Sequence, residues 1–173
     1  IHYTLDGMDV QAYLGDLVRE VYQNPAIHVY LDAAITEATG YVGNFVTRVR
    51  SERGTTEIKH GAAVIAVGAE AYKPAEYLYA EDERVLTNLE LEDRIVRQDE
   101  MLINARSLVM IQCVGCRQAD RNYCARICCN QSVKNALKLK ELDPSAQVTI
   151  IYRDIRTYGF KERLYTQARA AGV

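Results

Sequence analysis

The chain has 173 residues, 49% of them apolar and 25% charged, which is enough to bury a real core. A net charge of −2 gives no basic face for nucleic acid and no polybasic anchor for an anionic membrane. No apolar run approaches the ~20 residues of a membrane-spanning helix. The first residues, Ile1-His2-Tyr3-Thr4-Leu5-Asp6, lack the basic and apolar regions of a signal peptide. The expected location is therefore cytoplasmic, and the chain reads as an internal segment of something longer.

In chain order, Asp9–Gln23 carries Val10, Tyr13, Leu14, Leu17, Val18 and Val21 at helical spacing, and Asn24-Pro25 ends the pattern. Ile27–Leu31 suits a short strand. From Ala34 the period becomes two: Gly40–Gly43 and Ser51–Gly54 are turns in a β-meander running to His60. The apolar run Ala62–Val67, closed by Gly68, predicts a strand buried on both faces. Residues 69–85, with Tyr72, Tyr77 and Tyr79, read as a loop or domain crossing, and Asn88 as the cap of a helix over Leu89–Gln98. The last third predicts a strand over Ser107–Cys113, a helix over Tyr123–Glu141, a strand over Gln147–Tyr152 and a helix over Lys161–Ala171. Strands alternating with helices imply a parallel pair and a right-handed crossover. The fold class is α/β, in two lobes over 1–78 and 79–173.

All five cysteines fall between Cys113 and Cys129, spaced Cys113-x2-Cys116-x7-Cys124-x3-Cys128-Cys129. A secreted disulfide framework would spread pairs along the chain. An odd number in one short stretch points instead to metal, cluster or redox chemistry in a reducing compartment. The predicted strand end and helix start converge where a nucleotide-binding βαβ unit holds pyrophosphate, but G-x-G-x-x-G is absent and only Gly115 remains. The positive end of the helix would lower the thiol pKa values there, and Arg117, Arg121 and Arg126 would offset thiolate charge. Four readings stay open: a [4Fe–4S] cluster on four of the five thiolates, a structural zinc stapling an interaction domain, thiol–disulfide exchange at Cys113-Val114-Gly115-Cys116, or cysteines that simply pack as small core hydrophobes. His2, His28 and His60 are scattered and carry no metal spacing. Glu81, Asp82 and Glu83 read as a solvated loop.

Cys113-Val114-Gly115-Cys116-Arg117, Tyr123–Cys129, and Ile150–Arg156 followed by Tyr158-Gly159 resemble the heterodisulfide reductase family, in particular its flavin-bearing A component. So do Asp9–Leu14, Gly40–Phe45 and Gly61–Pro74. The resemblance implies a thioredoxin-reductase-like flavoprotein core. Residues 1–78 would be its partial FAD-binding domain, with Ala66, Val67 and Gly68 as the closing-strand signature. Residues 79–173 would be a Rossmann-like lobe carrying a [4Fe–4S] cluster in place of nucleotide. Carried over by position, the ligands would be Cys113, Cys124, Cys128 and Cys129, with Cys116 a fifth thiol where the family commonly has serine. The implied activity is oxidoreductase electron transfer between FAD and the cluster within a larger complex. The implied partners are the other components of that complex, a hydrogenase or other electron donor, and a second copy of the chain. The FAD pyrophosphate motif is missing, so the isolated chain is expected to bind FAD poorly and to be inactive by itself.

Overall fold

The computed structural model describes residues 1–173. It is mixed α/β, with one antiparallel and one parallel sheet. Residues 14–70 form one unit, and residues 1–13 with 71–173 form the other.

In the 14–70 unit, β1 (Ala34–Tyr41), β2 (Asn44–Ser51) and β3 (Gly54–His60) build the meander expected from the period-two pattern. Two-residue turns set its register, pairing Tyr41 with Asn44 and Ser51 with Gly54. Gly40 has φ +100°, and a Cβ there would sit 2.2 Å from the Asn44 carbonyl oxygen, so only glycine fits. Thr47 and His60 share a hydrogen bond of 2.8 Å, and Phe45 stacks on the His60 ring.

Two expected strands did not form here. Ile27–Leu31 and Ala62–Gly68 are irregular, and Val64, Ile65 and Val67 are 90%, 86% and 89% exposed. A strand buried on both faces needs paired edges and covering layers, and this sheet ends at β3 with neither. The helix α1 (Val10–Gln23) forms as its spacing predicts, yet none of its residues is buried.

The second unit is built around α4 (Cys128–Leu142). It crosses between β4 (Ser107–Ile111) and β5 (Gln147–Ile151), which pair in parallel with Met110 opposite Ile150. Leu91, Ile95, Leu102, Met110, Ala136, Leu139 and Val148 form the main core, contributed by α2 (Asn88–Arg97), α3 (Glu100–Ile103), α4 and the sheet. A smaller cluster joins Val133 to Leu164 and Ala168 of α5 (Glu162–Ala170). Thr87, rather than Asn88, caps α2. Its hydroxyl accepts from the Glu90 amide, while the Glu90 carboxylate accepts from the Thr87 amide at 2.7 Å. Asn88 is then free to reach Ser132 at 2.9 Å.

The helix α4 is buried on nearly every side, and much of what it buries is polar: Asn130, Gln131, Ser132, Lys134 and Asn135. Such groups are tolerated only with partners. Glu92 of α2, 0% exposed, supplies the centre of the network. Its carboxylate accepts from Lys134 Nζ at 2.7 Å, Gln131 Nε2 at 2.5 Å and the His2 amide at 2.5 Å. The N-terminal residues are tied in further by Lys134 Nζ on the Tyr3 carbonyl and by Tyr3 Oη on Asn135. Burial raises the Glu92 pKa, but the Lys134 ammonium and the His2 and Tyr3 amides outweigh it, and the carboxyl sits below its usual range. Burial first, then the Glu92 charge, holds the Tyr3 phenol well above its ordinary value.

Candidate cysteine site

The chain leaves β4 with Gln112, whose amide still bonds to the Ile151 carbonyl, and then turns sharply. Positive φ falls at every second residue: Cys113 at +63°, Gly115 at +70° and Arg117 at +57°. Alternation of this kind curls the backbone so that successive N–H groups face one concave side, a geometry that recurs at phosphate and iron–sulfur sites. Gly115 is held to glycine twice over. Its φ is left-handed, and a Cβ would meet the Tyr72 ring at 2.2 Å. Residues 117–123 then double back, with the Arg117 amide on the Tyr123 carbonyl at 3.0 Å.

This loop corrects the expected helix over Tyr123–Glu141. Arg126 takes a left-handed φ of +60°, and α4 begins only at Cys128. Cys124 is therefore a loop residue, and the expected shared helical face for Cys124 and Cys128 does not exist.

All five cysteines are free, with Cys113, Cys116 and Cys129 buried and Cys124 and Cys128 partly so. They perturb one another electrostatically. Burial pushes the Cys128 thiol up to about 11, and the neighbouring Cys129, Cys116 and Cys113 add to that. Burial also raises Cys116; the Ala125 amide opposes it, and Cys113 and Cys124 reinforce it. The expected lowering by the helix end is thus outweighed at Cys128, which sits in the first turn of α4. Thiols crowded in this way resist ionising together unless positive charge enters with them.

Donors already surround the sulfurs. The Arg126 amide is 3.3 Å from Cys124 Sγ, and Arg117 Nη1 is 3.9 Å from Cys113 Sγ. Asp154, in the segment after β5, pairs with both Arg117 and Arg156, and its carbonyl lies 4.0 Å from Cys129 Sγ. No three His, Cys, Asp or Glu side chains stand close enough to share one ion. The donor set is soft and thiolate-rich, the choice of zinc or iron–sulfur chemistry.

Sequence comparison adds a lineage to this geometry. The A component of the H2:CoB-CoM heterodisulfide,ferredoxin reductase of Methanothermobacter thermautotrophicus is 37% identical over 117 residues, covering 60% of this chain and 18% of that protein. The iron-sulfur A component of the CoB–CoM heterodisulfide reductase of Methanocaldococcus jannaschii is 37% identical over 118 residues, with the same coverage of each. The chain is a homologue of the heterodisulfide reductase A component. A longer alignment, at 30% identity over 159 residues, joins it to the corresponding component of the ferredoxin:CoB-CoM heterodisulfide reductase of Methanosarcina acetivorans, over 68% of this chain and 20% of that one. The chain spans about a fifth of the length of these curated relatives. No protein-family model matches it.

Of the residues singled out in the sequence, the five cysteines and Arg117, Arg121 and Arg126 share this region between β4 and the first turn of α4. Ala66, Val67 and Gly68 belong to the other unit, in exposed irregular chain. Asp154 and Tyr72 escaped the sequence reading as site residues. Asp154 lay inside the Ile150–Arg156 stretch that carried the resemblance, and Tyr72 inside a loop whose tyrosines were weighed as flavin contacts and not as neighbours of the cysteines. No helix is long and apolar enough to cross a membrane.

Proposed function

We propose that the cysteine loop holds a [4Fe–4S] cluster, and that the chain is an electron-transfer segment of a heterodisulfide-reductase-like oxidoreductase, passing electrons between FAD and the cluster. The observation that carries this is the meeting of five electrostatically coupled thiols on a backbone of alternating φ sign. The donor chemistry fits: Cys113, Cys124, Cys128 and Cys129 would be the ligands, and Cys116 an additional thiol. A bound cluster supplies a one-electron carrier. The chain's own residues bind and insulate it. Burial of Cys113, Cys116 and Cys129 limits access of water, the Arg126 amide hydrogen-bonds the Cys124 sulfur, and Arg117 places positive charge beside Cys113. No side chain is required as a general acid or base.

In this reading residues 1–78 are the meander part of an FAD-binding domain and residues 79–173 a Rossmann-like lobe whose crossover helix begins at the cluster. Ala66, Val67 and Gly68 would contact flavin in the full-length protein. The names of the relatives support partners in a multi-component complex with hydrogen- or ferredoxin-linked electron supply. The reading adds a cytoplasmic location, a hydrogenase or other donor, and self-association of the chain. A single zinc is the second reading. The absence of any three candidate ligands close enough to share one ion counts against it, since a structural zinc gathers four ligands around a single centre.

A serine series tests the assignment. Cys113→Ser, Cys124→Ser, Cys128→Ser and Cys129→Ser should each lower iron content and visible absorbance sharply in anaerobically prepared protein, and Cys116→Ser should leave both unchanged. Loss in Cys116→Ser together with retention in one of the other four would refute this ligand set.

A further inference from the structure

Three arginines flank the cysteines in sequence, but they are placed very differently. Arg121 stacks over the Tyr72 ring at 4.7 Å. Arg126 is exposed and lines a cavity with Lys134 and Lys161. Of the three, Arg117 brings its guanidinium against a sulfur, and it is held from several directions. Its amide bonds to the Tyr123 carbonyl at 3.0 Å, and its carbonyl accepts from Arg153 Nη1 at 2.6 Å. Its guanidinium is paired with Asp154, which also accepts from Arg156 Nε at 2.8 Å. Held there, Arg117 Nη1 reaches Cys113 Sγ at 3.9 Å.

We propose that Arg117, gripped by Asp154, is the positioning residue that sets the reduction potential of the cysteine site through the Cys113 sulfur. The proposal rests on the cluster reading above. Uptake of one electron adds a unit of negative charge to a site already bearing thiolates. Two guanidiniums share one Asp154 carboxylate, so a net positive charge remains beside Cys113. That charge is fixed in place by the paired loop and needs no rearrangement when the electron arrives. It therefore favours the reduced state, and hydrogen bonds and charge at ligand sulfur are recognised controls of cluster potential. Asp154 also spans the site, since its carbonyl faces Cys129 while its side chain steers Arg117 toward Cys113. The segment after β5 thus tunes the loop after β4.

The test uses this chain, purified without oxygen and loaded with ferrous iron and sulfide. Iron and sulfide are counted, and the midpoint potential is read by mediated titration with electron paramagnetic resonance. Arg117→Met should keep the iron and lower the potential by a tenfold or larger change in the one-electron equilibrium, about 59 mV. Arg121→Met removes the same charge from the same loop and should shift it by less than a third of that. Arg117→Lys keeps the charge but loses the planar guanidinium whose Nη1 meets both Asp154 and Cys113 Sγ, and should fall in between. Equal shifts in Arg117→Met and Arg121→Met, or none in the former, overturn the proposal while leaving the cluster in place. Should Arg117→Met hold no iron, Arg117→Lys decides: a potential equal to that of the unsubstituted chain overturns the proposal. Absence of iron and sulfide from the unsubstituted chain overturns the cluster reading and this proposal together.

Discussion

Lys134→Met removes the cation from the buried Glu92 network and leaves a carboxylate with 0% exposure facing the space the ammonium filled. Breaking one side of a buried pair costs about 3–5 kcal/mol. The lower end applies, because Glu92 keeps Gln131 Nε2 and the His2 amide, each at 2.5 Å. The substitution also deletes the Lys134 bond to the Tyr3 carbonyl and its position over the Tyr3 ring, 4.2 Å from the centroid. A loss of roughly 3 kcal/mol in a unit of this size lowers Tm by about 12 °C. Thermal unfolding followed by far-ultraviolet circular dichroism reads this directly. Adding Glu92→Gln neutralises the stranded charge, so the double variant should be more stable than the sum of the single losses by at least ~1 kcal/mol. A Lys134→Met melting point within about 2 °C of the unsubstituted chain, or simple additivity in the double variant, would refute the account of this network.

The same carboxylate gives a pH dependence. A depressed Glu92 pKa contributes stability that is present above the unfolded value, roughly 4.3, and lost as pH falls through the lower folded value. Urea midpoints should therefore drop below about pH 4.3, and Glu92→Gln should flatten that fall; an unchanged slope in the variant would contradict it. Gly115→Ala should disturb the cysteine loop, since alanine at φ +70° costs about 1–2 kcal/mol and its Cβ collides with Tyr72. Pairing it with Tyr72→Ala should relieve only the collision, and a single variant that melts like the unsubstituted chain would disprove the close approach. Thr87→Ala should cost about 1 kcal/mol by removing the α2 capping box, read as a shift in the urea midpoint, with no shift counting against the cap.

What could be read from the sequence was what neighbouring residues decide. The meander was legible because strict alternation and two-residue turns fix its register locally. The β4–α4–β5 crossover was legible from its two apolar strands and the helix between them. What failed depended on distant partners or on unusual backbone. Ala62–Val67 has the composition of a buried strand, but burial needs layers that the unit does not provide. Glu92 and Lys134 are 42 residues apart, and nothing in either neighbourhood marks them as a pair. Cys124 was misplaced because Arg126 adopts a left-handed conformation that side-chain spacing does not signal. The cysteine cluster itself was plain from spacing, whereas the hold of Asp154 on Arg117 required the fold to bring the segment after β5 against the loop after β4.

The proposed function turns on four of the five cysteines holding an iron–sulfur cluster. The most direct test is metal and acid-labile sulfide analysis of the chain purified without oxygen, with a visible spectrum of the same sample. About four irons and four sulfides per chain, with broad absorbance across the visible range, is the predicted result. One zinc per chain and no sulfide would contradict it and leave a stapled structural domain in its place.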